Sequence, residues 1–278
     1  MMDRAVRLGG VQGTNVMEAN LPPGMELRAI EVATPDGVIQ GKVAVTTGPM
    51  RLSGLVRIAY EVTNALVARA VQVEEAAGRR ISCCAGCGAC CRHMVPVSPP
   101  EAFALADLLD RLTPARRRVV VQRFARIVET LRARDMIDEL LAPRISGEAS
   151  LPIARRYFAL GMACPFLEDE SCSIHGDRPV VCRDFNVTSP AEWCRAPYEH
   201  DIAKVAMPLP LAAPLARLTA AVGGIEPCLI PLTLVPHWVA RHDALRRREW
   251  PGPELFDRFL REIGTPRSYC GGGEGNRA

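Results

Sequence analysis

The segment Cys84-Ala85-Gly86-Cys87-Gly88-Ala89-Cys90-Cys91 places four thiols within eight residues, separated only by Gly and Ala. Small spacers leave the backbone free to wrap around one point, so the sulfurs can converge rather than diverge. A second group, Cys164, Cys172, Cys182 and Cys194, is spread through a stretch rich in Pro, Asp and Ser. Eleven cysteines in 278 residues are more than a core needs as small hydrophobes. They point to a metal ion or an iron–sulfur cluster.

Cys84, Cys87 and Cys90 have the C-x2-C-x2-C spacing that supplies three thiolates to one cluster in bacterial ferredoxins. Cys164-Pro165 is a remote Cys-Pro pair of the kind that adds a fourth. A zinc site uses nearly the same residues, with Cys84 and Cys87 as one half and two of Cys164, Cys172 and Cys182 as the other. Both readings stay open, and the spacing favours an iron–sulfur cluster over Zn2+. Neighbouring side chains diverge, so Cys90 and Cys91 are expected to serve two centres or to leave one thiol spare. The eight thiols Cys84, Cys87, Cys90, Cys91, Cys164, Cys172, Cys182 and Cys194 would suffice for two four-cysteine sites. The ligands expected first are Cys84, Cys87, Cys90 or Cys91, Cys164, Cys172 and Cys182.

Positive charge follows the thiols: Arg92 and His93 after the first group, Arg178 and Arg183 around Cys182. A four-thiolate centre is anionic, and Arg178 and Arg183 are expected to hydrogen-bond sulfur and offset that charge. The competing reading pairs them with Asp177 and Asp184 as ordinary ion pairs. His175 and His93 are alternative nitrogen ligands, with a polar loop residue as the default for each. Cys83 reads as a spare thiol, Cys228 as a small buried hydrophobe and Cys270 as a tail thiol. The chain carries no phosphate-binding glycine loop, no H-E-x-x-H, no G-x-S-x-G and no C-x3-C-x2-C radical-enzyme spacing. Cys87-Gly88-Ala89-Cys90 lacks the strand-to-helix setting of a thioredoxin unit.

The elements that must position these thiols are mostly helices. Leu27, Ile30 and Val32, then Val38, Ile39, Val43 and Val45, flank Pro35-Asp36-Gly37 and predict a β-hairpin over 25–45. Leu55, Ile58, Val62, Leu66, Ala70 and Val73 recur at helical spacing and predict a helix over 53–80 that delivers the chain to the first cysteines. Ser98-Pro99-Pro100-Glu101 is a capping box opening a helix to about Arg111, burying Phe103, Leu105 and Leu108. Thr113-Pro114 opens another, expected to run to about Leu141 on a stripe of Val120, Phe124, Ile127, Val128 and Leu131. Arg116, Arg117 and Arg118 fall in its first turns and read as a solvated face. Residues 143–160 read as a connector with a short helix, and the second cysteine segment as mostly loop. The Pro-rich stretch 205–236 is expected to wrap over the helices, and Leu255, Phe256, Phe259, Leu260 and Ile263 predict an amphipathic helix over 254–263. The expected fold is therefore mainly α: a helical scaffold, a small N-terminal β-hairpin and a loop-rich, metal-stapled cysteine lobe. A leader over 1–20 and a disordered tail over 271–278 would flank one domain over 21–270. Its chelating core would span about 80–195, with the Pro-rich wrap and C-terminal helix over 205–265.

A net charge of +3 and 5% aromatics give no electrostatic or stacking case for nucleic acid. Met1 to Asn20 has no apolar run ending in a cleavage site, so no secretory signal is read there. The apolar region 205–240 is broken by six prolines and does not read as a membrane span. A cytoplasmic location follows as the expectation, with thiols kept reduced and free for metal rather than paired in disulfides.

Taken together, the blocks Cys84-Ala-Gly-Cys87-Gly-Ala-Cys90-Cys91, Cys164-Pro165-Phe166-Leu167, Cys172-Ser173-Ile174-His175 and Arg178-Pro179-Val180-Val181-Cys182-Arg183-Asp184-Phe185 resemble the YkgJ-type cysteine-cluster proteins. These carry the zinc- or iron-chelating domain named for its CxxCxxCC motif, and the likeness covers roughly 80–195. The resemblance implies a metal-chelating domain, and the family carries Tyr at the position of His175 in many members. The flagellin lysine methylase looks similar through the same blocks, which implies an alternative in which the centre supports methyl transfer to protein lysines. Three classes of function follow: a structural or redox-active metal protein, an enzyme working at the metal, and a metal-handling or redox-sensing protein. Protein partners are not legible in the sequence.

Overall fold

The computed structural model describes residues 6–7, 21–35, 37–142 and 151–264. Strands β2 (Met25–Thr34) and β3 (Gly37–Thr46) form an antiparallel pair running from Met25↔Thr46 to Thr34↔Gly37, and Asp36 of the expected turn lies outside the described residues. Ile30, Val32, Ile39, Val43 and Val45 alternate onto one face and are buried, as a period of two requires. Val6–Arg7 is not leader but strand β1, parallel to β3; the rest of 1–20 and all of 265–278 lie outside the described residues.

Helix α1 (Leu55–Ala76) follows strand β4 (Pro49–Arg51) and a single 3-10 turn. Leu55, Ile58, Val62, Leu66 and Ala70 form its buried stripe, while Val73 is 37% exposed because the helix outruns the core. Helix α2 (Pro99–Arg111) opens on the Ser98–Glu101 capping box and buries Phe103 and Leu105 fully, with Leu108 half-buried. The helix expected over 114–141 is two helices, α3 (Pro114–Arg132) and α4 (Ile137–Leu141). Between them Asp135 adopts φ 52°, the Met136 N–H reaches the Leu131 carbonyl (3.0 Å) and the Asp135 N–H that of Arg132 (3.1 Å). That is a Schellman closure with Asp in the left-handed place usually given to Gly, sealed by contact between buried Leu131 and Met136.

Helix α5 (Leu151–Phe158) is the short helix expected in the connector. Strand β5 (Pro96–Val97), ahead of α2, pairs antiparallel with β8 (Ile230–Pro231). The second cysteine segment contributes a tight hairpin of β6 (Leu167–Glu168) and β7 (Ser171–Cys172), and helix α6 (Val180–Asp184). The Pro-rich stretch is core, not wrap. Helix α7 (Ala212–Gly223) buries Leu215, Ala216 and Leu218 between α2 and the C-terminal helix α10 (Gly252–Gly264). Helix α8 (Val235–Arg241) sets Trp238 against Phe103, ring centroids 5.4 Å apart. Pro214 and Pro236 sit in the first turns of α7 and α8, where the missing N–H has no intrahelical acceptor to lose. The short α9 (Asp243–Arg247) and β9 (Glu249–Pro251) lead into α10. On α10, Leu255, Phe256, Phe259 and Ile263 face inward and Leu260 is half-buried. The fold is mainly α, and one hydrophobic core joins the helices to the hairpin.

Candidate metal centre

The first cysteine segment is a chain of tight turns. Gly86 takes φ +81°, a conformation closed to most residues, and the Cys87 N–H reaches the Cys84 carbonyl (3.3 Å). At Gly88 an added Cβ would lie 2.7 Å from the Leu167 side chain and 3.1 Å from the Glu170 Cα, so only Gly lets this segment pack on the β6–β7 hairpin. The 3-10 turn Ala89–Arg92 then rotates successive residues by about 120° rather than flipping them. The neighbouring Cys91 thiol holds Cys90 below its ordinary range, and Cys90 together with burial pushes Cys91 up.

The two segments are sewn together by backbone and by charge. The Cys164 N–H donates to the Cys91 carbonyl at 2.7 Å. Arg92 forks onto the Glu170 carboxylate (2.5 and 3.2 Å) and also reaches the Gly88 carbonyl (2.8 Å), while Arg195 reaches Glu170 from the far side (3.1 Å). Glu170 and Asp169 form the β6–β7 turn with φ of 56° and 46°, the paired left-handed geometry of a type I′ hairpin. Arg123 binds Glu168 (2.9 Å) and the Pro165 carbonyl (3.0 Å), and Arg116 binds Glu168 as well. Arg116 and Arg117 are thus ion-paired, Arg117 to Asp110, rather than merely solvated. On the third side, Glu101 accepts from the Ser98 N–H (2.8 Å), the Ser98 hydroxyl (2.7 Å) and the Val180 N–H (2.7 Å). One buried carboxylate therefore caps α2 and anchors α6, the helix that carries Cys182. Burial pushes the Glu101 carboxyl up against those three bonds, which hold it down.

Cys90, Cys164, Cys172 and Cys182 lie within electrostatic range of one another, and Cys91 within range of the first three. The Phe166 N–H supports the Cys164 sulfur and the Ile174 N–H the Cys172 sulfur, both donors two residues downstream. Cys83, Cys87 and Cys194 gather on the other side of Cys90, with Cys87 and Cys194 packed against Ala89, Val187 and Phe185. Cys84 is exposed at the mouth of the first turn. Burial pushes Cys164 to about 12 and Cys194 to about 11, and raises Cys182. The ten cysteines described are all free thiols, and Cys228 is buried away from the lobe.

Arg178 lies within charge range of Cys90 and Cys172 and favours both thiolates, although burial leaves the Cys172 thiol raised. The Arg183 guanidinium instead stacks 4.1 Å over the Tyr60 ring and donates to Asn64 Oδ1 (3.0 Å) and to the Arg178 (2.7 Å) and Gly176 carbonyls. His93 donates Nε2–H to the Cys194 carbonyl (2.7 Å) between the edges of Phe158 and Phe185, since a carbonyl can only accept. That nitrogen is committed to the fold. His175 is exposed on the turn before α6.

Among the described residues no three His, Cys, Asp or Glu side chains stand at the spacing that would hold an ion. Bare sulfurs have nothing drawing them to a common point, whereas a cation replaces the thiol protons and attracts the thiolates. The donor set nevertheless fits one kind of ion. Soft sulfur ligands, N–H donors aimed at them and a nearby guanidinium suit thiophilic zinc or iron rather than a hard, oxygen-seeking cation. The sequence missed the clamps that make this lobe, Glu101, Glu170 and Arg123. Of these only Glu101 carried a signal, and that signal was its local capping role.

Raised thiol pKa values set the sign of a pH dependence. Cys164 and Cys194 hold their protons more tightly folded than unfolded, so that preference is intact below about pH 8.5 and is lost as pH rises toward about 11 to 12. The metal-free protein is expected to show a falling melting temperature above pH 9, because Cys164 and Cys194 ionise first in the unfolded chain. A melting temperature that rises over that interval would contradict the burial.

A lobe of gathered soft thiols on a helical scaffold defines a thiolate metal-chelating module. Residues 83–199 match the CxxCxxCC family model, described as "Putative zinc- or iron-chelating domain". No curated protein and no solved structure matches the chain. Among the described residues no helix is long and apolar enough to cross a membrane.

Proposed function

We propose that the protein holds an iron–sulfur cluster through Cys90, Cys164, Cys172 and Cys182, in a redox or structural role, in the cytoplasm. The observation that carries this reading is that the four thiols lie within electrostatic range of one another, in a segment matching a zinc- or iron-chelating family model. The remote Cys164-Pro165 pair and the N–H support at Cys164 and Cys172 favour a cluster over zinc. Arg178 would offset the net negative charge of a four-thiolate centre. Cys91 would stand beside Cys90, and Cys83, Cys84, Cys87 and Cys194 would flank the centre. When bound, such a cluster supplies one-electron chemistry or a structural cross-link between the two cysteine segments.

Elemental analysis and a visible spectrum on protein purified without oxygen test the proposal. Iron and sulfide with broad absorbance at roughly 400 nm from thiolate-to-iron charge transfer is the expected result. Stoichiometric zinc in a colourless protein would overturn the cluster while keeping the thiolate centre, and neither metal would overturn both.

A further inference from the structure

A cleft of about 400 Å3 opens between α1, α2 and the loop 176–183. Its floor is apolar, formed by Val56, Ala104, Leu105 and Leu108. Arg57, Arg111 and Arg183 line it against only two carboxylates, Glu61 and Asp177. Each guanidinium is differently committed. Arg183 is fixed by the Tyr60 ring and its acceptors on Asn64, Gly176 and Arg178. Arg57 faces Glu61 at a loose 3.7 Å and is 90% exposed. Arg111 is exposed and has no ion-pair partner among the described residues. The Tyr60 hydroxyl donates to the Asp177 carbonyl (3.2 Å) and so holds the loop that forms one wall.

We infer that this cleft binds a small organic anion, its carboxylate or phosphate on Arg111 and Arg57 and its apolar body on the Val56, Leu105 and Leu108 floor. The volume is within the range of small-molecule sites, and the lining sets three guanidiniums around an apolar patch. Charge-assisted hydrogen bonds from guanidinium favour those two head groups over neutral ones. Arg57 and Arg111 stand on α1 and α2, outside the cysteine lobe, while Arg183 and the 176–177 wall come from it.

Calorimetric titration of the purified full chain with phenyl phosphate, benzoate and inorganic phosphate tests it. Saturable binding of phenyl phosphate or benzoate at one per chain is expected, and the tighter of the two assigns the head group. Inorganic phosphate, which lacks the apolar body, should bind at least tenfold more weakly. Arg111→Met should weaken the organic anion at least tenfold, and Ala104→Phe should block it by filling the floor. Arg132→Met, in a separate cavity with His237 and Arg241, should change nothing. Absence of saturable organic-anion binding, inorganic phosphate binding as tightly, or equal binding in Arg111→Met and Ala104→Phe would each overturn the inference.

Discussion

Cys164→Ser is expected to strip the metal from the protein, cutting bound metal at least tenfold, while Cys228→Ser leaves it unchanged. Cys164 is the joint of the lobe. Its backbone N–H is bonded to the Cys91 carbonyl, its sulfur takes the Phe166 N–H, and its thiol sits with Cys90, Cys172 and Cys182. A serine keeps the backbone bond and nearly the same volume but offers a hard, weakly acidic oxygen to a thiophilic ion. Because metal affinity is folding free energy in a lobe of turns and short helices, the loss should also lower stability. Structural thiolate sites in small domains bind with apparent free energies of about 10 kcal/mol or more, so even partial loss should lower the melting temperature by about 10 °C. Metal content by elemental analysis and thermal unfolding of the two variants side by side decide the matter. Equal metal in Cys164→Ser and the parent protein would remove Cys164 from the centre.

The second large effect is expected at a residue that touches no sulfur. Glu101→Ala should destabilise the fold by about 3 to 5 kcal/mol, because it leaves the Ser98 and Val180 N–H groups buried without acceptors. Glu101 is 0% exposed, so water does not reach those donors without opening the core. The expected fall in melting temperature is about 10 °C. The change should also loosen α6 and with it Cys182, so metal content should drop in parallel. Glu101→Gln separates the two roles: an amide oxygen can still serve the Val180 N–H, but its NH2 group adds a donor among donors. An intermediate loss is expected from it. A Glu101→Ala variant that melts within 3 °C of the parent would show that the carboxylate contributes only locally.

The two variants differ in how far their cause was visible in the chain. The capping box at Ser98 and the apolar stripes of α1 and α10 were legible because they are written within three or four residues. The hairpin of β2 and β3 was legible for the same reason. The break at Asp135 was not, since the left-handed residue there is not glycine and only the Leu131–Met136 contact favours closing the helix. The prolines at 214 and 236 misled, because their ring is harmless in a first turn and which residue opens a helix is set by what it packs against.

By itself the sequence determined the donor chemistry: sulfur in two clustered segments, the likeness to the CxxCxxCC model over 83–199, helical scaffold and N-terminal hairpin. Residue type and short-range periodicity are sufficient for those. The tertiary structure alone decided how the two cysteine segments meet, with the Cys164 N–H on the Cys91 carbonyl and Arg92 on Glu170. It also decided that Arg183 serves Tyr60 and loop carbonyls while Arg178 lies nearer the sulfurs. All thiols are chemically alike along the chain. Only the long-range bonds of Glu101, Glu170 and the Cys91 carbonyl, each spanning about 70 to 80 residues, sort them into neighbours.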